Sequence, residues 1–387
     1  MTFSNKRNVL ILMLALISLT ESMKLNLNTV PDAGIDNSCW LGKIYKKYND
    51  IGDMSVADMI IPGTHDSGMI LDQSLNIDEG TIAEYMKTVN PNDKGLRKDF
   101  FHFYTQYHTI KNQLAIGIRL FDVRVKKLGF TDDKIKGHKY TKDDLYIFHG
   151  EFPFLTLVLP QNLREILSEI VKFLDQCKND FVILKVKLDD KGDSQQFFDT
   201  LYQVLEAYNK PVGMIHYARK IPTFQELTGK IWLIPDKFDP KVLKETIRPQ
   251  VNENNPLFVW NEEKEACFIR PYKKYGKYER YKTKEKKEEF QQFVSNQSDD
   301  KKKNIISCFG FNVSKVAGVS AITNTVVKSK KHPGTSKGEY LFNLIFTERK
   351  DIVERGFISI DWATSANTDQ IIKRSKEIFQ SKSKITN

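Results

Sequence analysis

Ionisable side chains stand at or beside the ends of three apolar segments. His65 and Asp66 directly follow the run IIPGT (60–64), Asp122 and Arg124 lie two residues apart within GIRLFDVRV (117–125), and His149 follows LYIF (145–148). Histidine can donate or accept a proton near neutral pH, and an arginine guanidinium can contact two oxygens of one phosphate. These residue types therefore suggest proton transfer beside a bound anion.

The spacing of Asp122 and Arg124 places both side chains on one face, because residues two apart in a strand point to the same side. If that side is a barrel interior, burying an acid with a guanidinium is costly unless the two pair or bind a charged ligand. A histidine after a strand lies at the carboxyl end, where barrels of alternating strands and helices build their active sites. A single such histidine is usually structural, so the functional hypothesis rests on all three clusters together.

The elements that position these residues are predicted from apolar periodicity. Seven nearly continuous apolar runs predict strands at Asp58–Ile61, Ile118–Val125, Leu145–His149, Phe181–Leu188, Ile231–Pro235, Ile305–Asn312 and Phe357–Asp361. Such runs are typical of strands covered on both faces, while Leu163–Gln176 and Gln195–Tyr208 have apolar residues at helical spacing. We therefore expect an α/β fold, a distorted (β/α)8 TIM-like barrel, with residues 23–387 as one domain.

The segments PGTHDSG (62–68), FDVR (121–124) and FHG (148–150) resemble the phosphatidylinositol-specific phospholipase C family. The similarity is to the catalytic X domain of its metal-independent bacterial-type members, and it extends over about residues 40–370. The resemblance implies that His65 is the general base and His149 the general acid. It also implies that Asp361, at the end of a late apolar run, orients His65.

The resemblance assigns roles to further charged residues as well. Asp122 and Arg124 would clamp the phosphate, and Asp66 would lie on the leaving-group side and orient the general acid. Lys187 matches a lysine that points inward and contacts the inositol hydroxyls. Thr228 stands where the family has a substrate-binding arginine, so the choice of headgroup is left open.

The activity implied by this resemblance is phosphodiester cleavage by attack of the inositol 2-hydroxyl. The products would be diacylglycerol and inositol 1,2-cyclic phosphate, so the enzyme is named a lyase or a phosphoric diester hydrolase. Cleavage of glycosylphosphatidylinositol anchors by the same chemistry is an alternative. Calcium-dependent relatives have carboxylates where this chain has Arg124, so we expect no metal and no cofactor. A metal-dependent glycerophosphodiesterase and a non-catalytic lipid-binding barrel are the remaining alternatives.

The composition indicates an anionic partner. The 387 residues include 59 Lys and Arg against 49 Asp and Glu, a net charge of +10, and 40% of them are hydrophobic, which excludes a disordered or collagenous chain. Positive charge and tyrosines concentrate in Arg270–Lys287, within a predicted insertion at about 270–303. A predicted phosphodiester clamp and a predicted signal peptide, described below, accompany this charge. Together they favour a phosphatidylinositol-containing membrane surface over nucleic acid as the partner. Nothing in the sequence implies an obligate protein partner.

The amino terminus predicts secretion. Lys6 and Arg7 precede the apolar run Val9–Leu19, which is too short to span a bilayer and is followed by small residues, so residues 1–22 are a candidate signal peptide. The product would then enter the secretory pathway or leave the cell. There, disulfides can form among the four cysteines, Cys39, Cys177, Cys267 and Cys308, with three possible connectivities.

Overall fold

The computed structural model describes sixteen ranges of the chain. They are residues 37–70, 105–106, 108–127, 144–147, 161–188, 194–209, 214–216, 221–236, 269–271, 290–295, 297–298, 306–311, 328–329, 332–336, 353–360 and 363–383. His149, Asp361, the candidate signal peptide and most of the basic segment lie outside these residues. The predictions that concern them, including a single domain over 23–387, stay predictions.

The described residues form eleven strands, nine of which make one sheet of mostly parallel strands. The strands are β1 (Ile60–Thr64), β2 (Leu120–Lys127), β3 (Leu145–Ile147), β4 (Val182–Leu188), β5 (Ile215–His216), β6 (Ile231–Asp236), β7 (Ile269–Pro271), β8 (Ile306–Phe311), β9 (Lys328–Ser329), β10 (His332–Ser336) and β11 (Gly356–Ile360). Their order is β5-β6-β4-β2-β1-β11-β8-β7, with β3 paired to β2, while β9 and β10 form a separate antiparallel pair. The apolar runs therefore predicted the central strands to within a few residues.

The direction of β3 corrects the simplest interpretation of the sequence, in which three consecutive strands run the same way. β3 is antiparallel to β2, with Ile147 opposite Val125. The reason lies in β1, which pairs with β2 only as far as Phe121, while β4 covers the other edge of β2 from Leu120 to Val125. The later part of β2 thus has an edge that β3 can pair with, since unpaired backbone groups need partners.

The helices pack on this sheet. They are α1 (Trp40–Lys47), α2 (Ile110–Ala115), α3 (Leu163–Gln176), α4 (Ser194–Asn209), α5 (Phe224–Leu227) and α6 (Ser365–Ser383). The bounds of α3 agree with the sequence prediction. Asn162 caps α3 by accepting from the Glu165 backbone N–H at 2.9 Å, and the Glu165 side chain accepts from the Asn162 backbone N–H. None of the helices in the described part of the chain combines the length and apolar character needed to cross a membrane.

One face of the sheet changes from apolar to charged along the strands. At the start of β2 and β4, Leu120 lies opposite Ile183, and both belong to a buried apolar cluster that includes Trp40 of α1. Further along the same face of these two strands come four charged residues, Asp122, Arg124, Lys185 and Lys187. The apolar half therefore forms a core closed by α1, and the carboxyl half forms a charged surface.

Two covalent or ionic links hold the apolar end together. The Cys39–Cys177 disulfide joins the start of α1 to the end of α3, which selects one of the pairings that the sequence left open. Nearby, Arg119 donates from Nε and Nη2 to Oδ2 of Asp180 at 2.8 and 2.7 Å, and both side chains are fully buried. The other Asp180 oxygen accepts from the Gly42 N–H at 2.7 Å. This pair fixes the entry into β2 against α1.

Candidate active site

His65 and Asp66 form a sharp turn at the carboxyl end of β1. Asp66 has a φ of 43°, in the left-handed region that aspartate adopts more readily than most residues. The turn is bonded to β2, because the Ser67 N–H donates to the Asp122 carbonyl at 2.8 Å and the Asp122 N–H donates to Ser67 Oγ at 2.9 Å. Ser67 thus extends the contact between the β1 end and β2, with one bond from its backbone and one to its side chain.

Arg124 joins the two residues of this turn. Its Nε forms an ion pair with Oδ1 of Asp66, whose side chain is fully buried. Its Nη2 lies 3.0 Å from Nε2 of His65. A guanidinium can only donate, so this contact suits a neutral imidazole with its proton on Nδ1. Oδ2 of Asp66 lies 3.4 Å from the same nitrogen, a contact that suits a protonated His65. The surroundings of Nε2 thus offer a partner to both the neutral and the protonated ring.

A second ion pair lies beside the first. Lys185 Nζ is 3.2 Å from Oδ1 of Asp122, across the β2–β4 pairing. Burial and the nearby Asp66 carboxylate would raise the pKa of Asp122, but the positive charges of Lys185 and Arg124 outweigh them, so the pKa lies below its usual value. Asp122 is therefore a carboxylate at neutral pH, as a group that organises cations must be.

Charges of both signs lie together in this cluster. Asp66 and Asp122 are the carboxylates, and Arg124, Lys185 and the buried Lys187 are the basic residues, with Asp236 of β6 in register with Lys187. Arg124 and Lys185 retain 15% and 21% of their side-chain exposure, so a ligand can reach them. These two basic side chains can contact an anion such as a phosphodiester.

The turn rests on a buried polar network. Thr64 Oγ1 contacts Ser67 Oγ and Gln113 Oε1, each at 2.8 Å. The Gln113 amide nitrogen donates to the carbonyls of Ser67 and His108 at 3.0 and 2.7 Å. Because buried polar groups need partners, this network holds the turn in one conformation.

The close approach of β3 explains why the motif PGTHDSG ends in a glycine, Gly68. A Cβ on Gly68 would lie 2.7 Å from Cγ2 of Ile147, the last residue of β3. Only a glycine lets β3 approach the turn this closely. His149 itself lies outside the described residues, and its predicted role as general acid stays a prediction; the described chain reaches Ile147, two residues before it.

A metal fits this cluster poorly. His65, Asp66 and Asp122 each offer a ligand atom, and these atoms lie within 4.8 Å of one another. Each carboxylate, however, already faces a cation, Arg124 in one case and Lys185 in the other. A divalent ion would have to displace these side chains or bind beside two positive charges. This charge balance favours the metal-free expectation, which calcium removal can test.

The structure brings together five of the seven predicted site residues in its described part: His65, Asp66, Asp122, Arg124 and Lys187. Asp66 was expected to orient the general acid; the structure adds that it pairs with Arg124 and lies 3.4 Å from His65 Nε2. Sequence reasoning missed Lys185 as the partner of Asp122, although its spacing from Lys187 was a usable signal. It also missed Gln106 and Gln113, which no short motif indicates.

The chain resembles known proteins in sequence and in fold. No protein-family model matches the chain. It is 25% identical over 254 residues to PI-PLC X domain-containing protein 1 of Danio rerio, covering 57% of this chain and 74% of that protein. It is 27% identical over 143 residues to 1-phosphatidylinositol phosphodiesterase of Listeria monocytogenes, covering 36% and 38%.

Solved structures agree with these relatives. A phosphatidylinositol-specific phospholipase C from Staphylococcus aureus, with pentafluoro-Phe incorporated, matches with a TM-score of 0.54 at 16% identity, over 88% of this chain and 98% of that one. The enzyme from Listeria monocytogenes matches with a TM-score of 0.50 at 19% identity, over 84% and 95%. In sequence and in fold, the chain is similar to phosphatidylinositol-specific phospholipases C. The expected α/β TIM-like barrel and the family resemblance are thereby confirmed.

Proposed function

We propose that this chain is a phosphatidylinositol-specific phospholipase C, an enzyme that cleaves the bond between glycerol and phosphate in phosphatidylinositol. The observation that carries the proposal is the 3.0 Å contact between Arg124 Nη2 and His65 Nε2. It puts the cation that can bind phosphoryl oxygens next to the nitrogen that can accept a proton. Relatives that carry this activity in their names support the same chemistry.

In the proposed reaction, the 2-hydroxyl oxygen of the inositol attacks phosphorus while His65 Nε2 takes its proton. The new oxygen–phosphorus bond closes a five-membered ring, and the bond from phosphorus to the glycerol oxygen breaks. His149 then supplies the proton that the glycerol oxygen needs. The products are diacylglycerol and inositol 1,2-cyclic phosphate, so no water is consumed and atoms and charge balance.

Substrate binding would change the partner of Arg124. Without substrate, Arg124 Nη2 lies 3.0 Å from His65 Nε2. A phosphodiester that accepts the Nη2 donor would replace this contact and place the phosphate beside the base. Asp66 holds Arg124 through Nε, so the guanidinium stays in position while its partner changes.

We propose that the enzyme binds its substrate at a membrane surface. The net charge of +10 favours adsorption to anionic lipid, and the partly exposed Arg124 and Lys185 can contact a phosphodiester headgroup. Lys187, opposite Arg124 in the β2–β4 register, is the candidate contact for the inositol hydroxyls. Salt should weaken the binding of the protein to anionic vesicles, and affinity that ignores salt would remove this part of the proposal.

We also propose that the protein is secreted. The Cys39–Cys177 disulfide is typical of proteins that fold in an oxidising compartment, which is consistent with a cleaved leader at residues 1–22. N-terminal sequencing of the protein from the culture medium of expressing cells should begin near residue 23. Retention inside the cell with an intact leader would contradict the proposal.

The test of the activity is release of diacylglycerol from vesicles containing labelled phosphatidylinositol, with excess EDTA present. We expect full activity in EDTA, and a loss of roughly 10²–10⁴-fold in His65→Ala and His149→Ala, the range that general acid–base groups contribute. His332→Ala, in the separate β9–β10 pair, is the matched control and should retain activity. Activity only with added calcium would refute the metal-free mechanism, and no release under either condition would refute the proposed function.

A further inference from the structure

Gln106 is a buried residue whose side-chain amide links two strands of the site. Only 1% of Gln106 is exposed. Its Nε2 donates to the carbonyl of His65, at the end of β1, and to the carbonyl of Ile360, at the end of β11, both at 3.0 Å. Its Oε1 accepts from the Ala363 N–H at 3.3 Å. One amide thus contacts the base residue and both sides of the two-residue segment 361–362.

The Gln106 side chain is itself held in place by its own backbone. The N–H groups of Thr105 and Gln106 donate to the Met69 carbonyl at 3.0 and 3.1 Å. Thr105 Oγ1 donates to the carbonyl of Asp66 at 2.8 Å. Thr105 and Gln106 therefore bond to the carbonyls of Asp66 and His65, the two residues of the turn. These bonds fix the Gln106 side-chain amide to the turn rather than to β11.

We propose that Gln106 is a positioning residue that sets the separation between His65 and the segment carrying Asp361. This inference rests on the proposed function and on the predicted role of Asp361 as the carboxylate that orients the general base. β1 and β11 are paired in register as far as Thr64 and Ile360, and the His65 N–H donates to the Ile360 carbonyl at 3.4 Å. The Gln106 amide adds a second link between the backbones of His65 and Ile360 and extends it to Ala363.

The chemistry of the contacts explains why an amide is needed. The His65 carbonyl and the Ile360 carbonyl, which also accepts from the His65 N–H, take donors from this side chain, and the Ala363 N–H takes an acceptor from it. A primary amide offers both within a single planar group. A glutamate at this position would set a carboxylate oxygen against two carbonyl oxygens. Asparagine is one methylene shorter and cannot reach both strands from the same backbone position. Gln106 is therefore matched to the gap in both length and polarity.

Gln113 provides a matched control for the test. It is an equally buried glutamine, and its amide also makes three hydrogen bonds at the same turn, but to Thr64, Ser67 and His108. Gln106→Met and Gln113→Met remove the same chemical group at similar burial. Both variants should therefore lower the melting temperature by similar amounts, whereas only Gln106→Met should disturb the relation between His65 and residue 361.

The kinetic test is a double-mutant cycle with Asp361→Asn on the full chain. We expect Gln106→Met to lower kcat by roughly 10- to 100-fold with little change in KM, since misplacing a catalytic group by about 1 Å costs up to about 10²-fold. In the Asp361→Asn background the same change should have almost no further effect. Gln113→Met should change kcat by the same factor in both backgrounds. Independent effects of Gln106→Met and Asp361→Asn would overturn the proposal.

A second readout needs no substrate, so it separates this inference from the proposed function. In protein labelled with 15N-histidine, His65 should show the ring shifts of the Nδ1–H tautomer, assigned by comparison with His65→Gln. Gln106→Met should change the Nδ1 shift of His65, because the carboxylate predicted to contact Nδ1–H moves away while Arg124 still contacts Nε2, and Gln113→Met should change it less. Unchanged shifts in Gln106→Met would overturn the positioning role, whereas inactive wild-type protein with the expected shifts would overturn only the proposed function.

Discussion

Replacing Arg124 by lysine tests the arrangement at the centre of the site. In the structure the guanidinium makes two contacts in different directions, from Nε to Asp66 and from Nη2 to His65 at 3.0 Å. A lysine keeps the positive charge, but its single ammonium group cannot hold Asp66 and also present two parallel donors to a phosphate. Arg124→Lys should therefore fold and bind lipid while losing catalytic rate.

The size of the loss follows from the contacts. A hydrogen bond to a charged group is worth about 1.5–3 kcal/mol, and one such bond to the phosphoryl oxygens is lost. At about 1.36 kcal/mol per factor of ten, kcat should fall roughly 10- to 150-fold. Arg124→Met differs, because it leaves the fully buried Asp66 without this cation, and breaking a buried ion pair in this way costs about 3–5 kcal/mol of folding stability.

The assay is the initial rate of diacylglycerol release, with urea unfolding measured on the same preparations. Arg164→Lys is the matched control, because Arg164 keeps 36% of its exposure and lies 3.4 Å from Asp144, so its exchange should leave both rate and stability nearly unchanged. The reasoning would be refuted if Arg124→Lys kept its rate within about threefold of wild type, or if Arg124→Met were as stable as wild type.

Two further predictions concern the surroundings of the turn. Lys185→Met should shift acid unfolding, followed by far-UV circular dichroism, to higher pH. The pKa of Asp122 is depressed in the folded protein, so the ionised carboxylate stabilises the fold above the unfolded-state pKa of about 3.9, and this stabilisation is lost as the pH falls through the folded-state pKa. Without Lys185, burial raises the folded-state pKa of Asp122. Gly68→Ala should destabilise the protein by about 1–3 kcal/mol in urea unfolding, because the added methyl group would meet Ile147 at 2.7 Å.

Each of these has a control in the same chain. Lys172→Met removes an exposed lysine from α3 and should leave the acid transition where it is; an equal shift in both lysine variants would show that general charge, not Asp122, sets the transition. Gly52→Ala adds a methyl group whose nearest neighbour is the flexible Gln225 side chain at 3.3 Å. A Gly68→Ala protein as stable as Gly52→Ala would contradict the close approach of β3.

Much of this fold could be predicted because its signals are local. Continuous apolar runs gave the positions of β1, β2, β4 and β11, and the capped apolar periodicity of Leu163–Gln176 gave a whole helix. The alternation of side chains within a strand placed Asp122 and Arg124 on one face. His65 was expected at the carboxyl end of β1, and the structure places it there.

The parts that could not be predicted depend on contacts between distant segments. The pairing of β3 with β2 depends on how far β1 accompanies β2, which no single segment reveals. Lys185 meets Asp122 only through the register of β2 with β4, 63 residues away along the chain. Gln106 bonds to Ile360 across 254 residues. Sequence patterns specify which face a side chain occupies, whereas the pairing of strands decides what it meets there.

The most direct test of the central claim compares phosphatidylinositol with an analogue whose inositol 2-hydroxyl is methylated. Attack by the internal hydroxyl predicts that the natural lipid yields diacylglycerol together with the 31P resonance of a five-membered cyclic phosphate. The methylated lipid should not be cleaved, but it should compete for the site. Cleavage of the methylated lipid at a comparable rate would mean that water is the nucleophile, which would contradict the role assigned to His65 and its contact with Arg124.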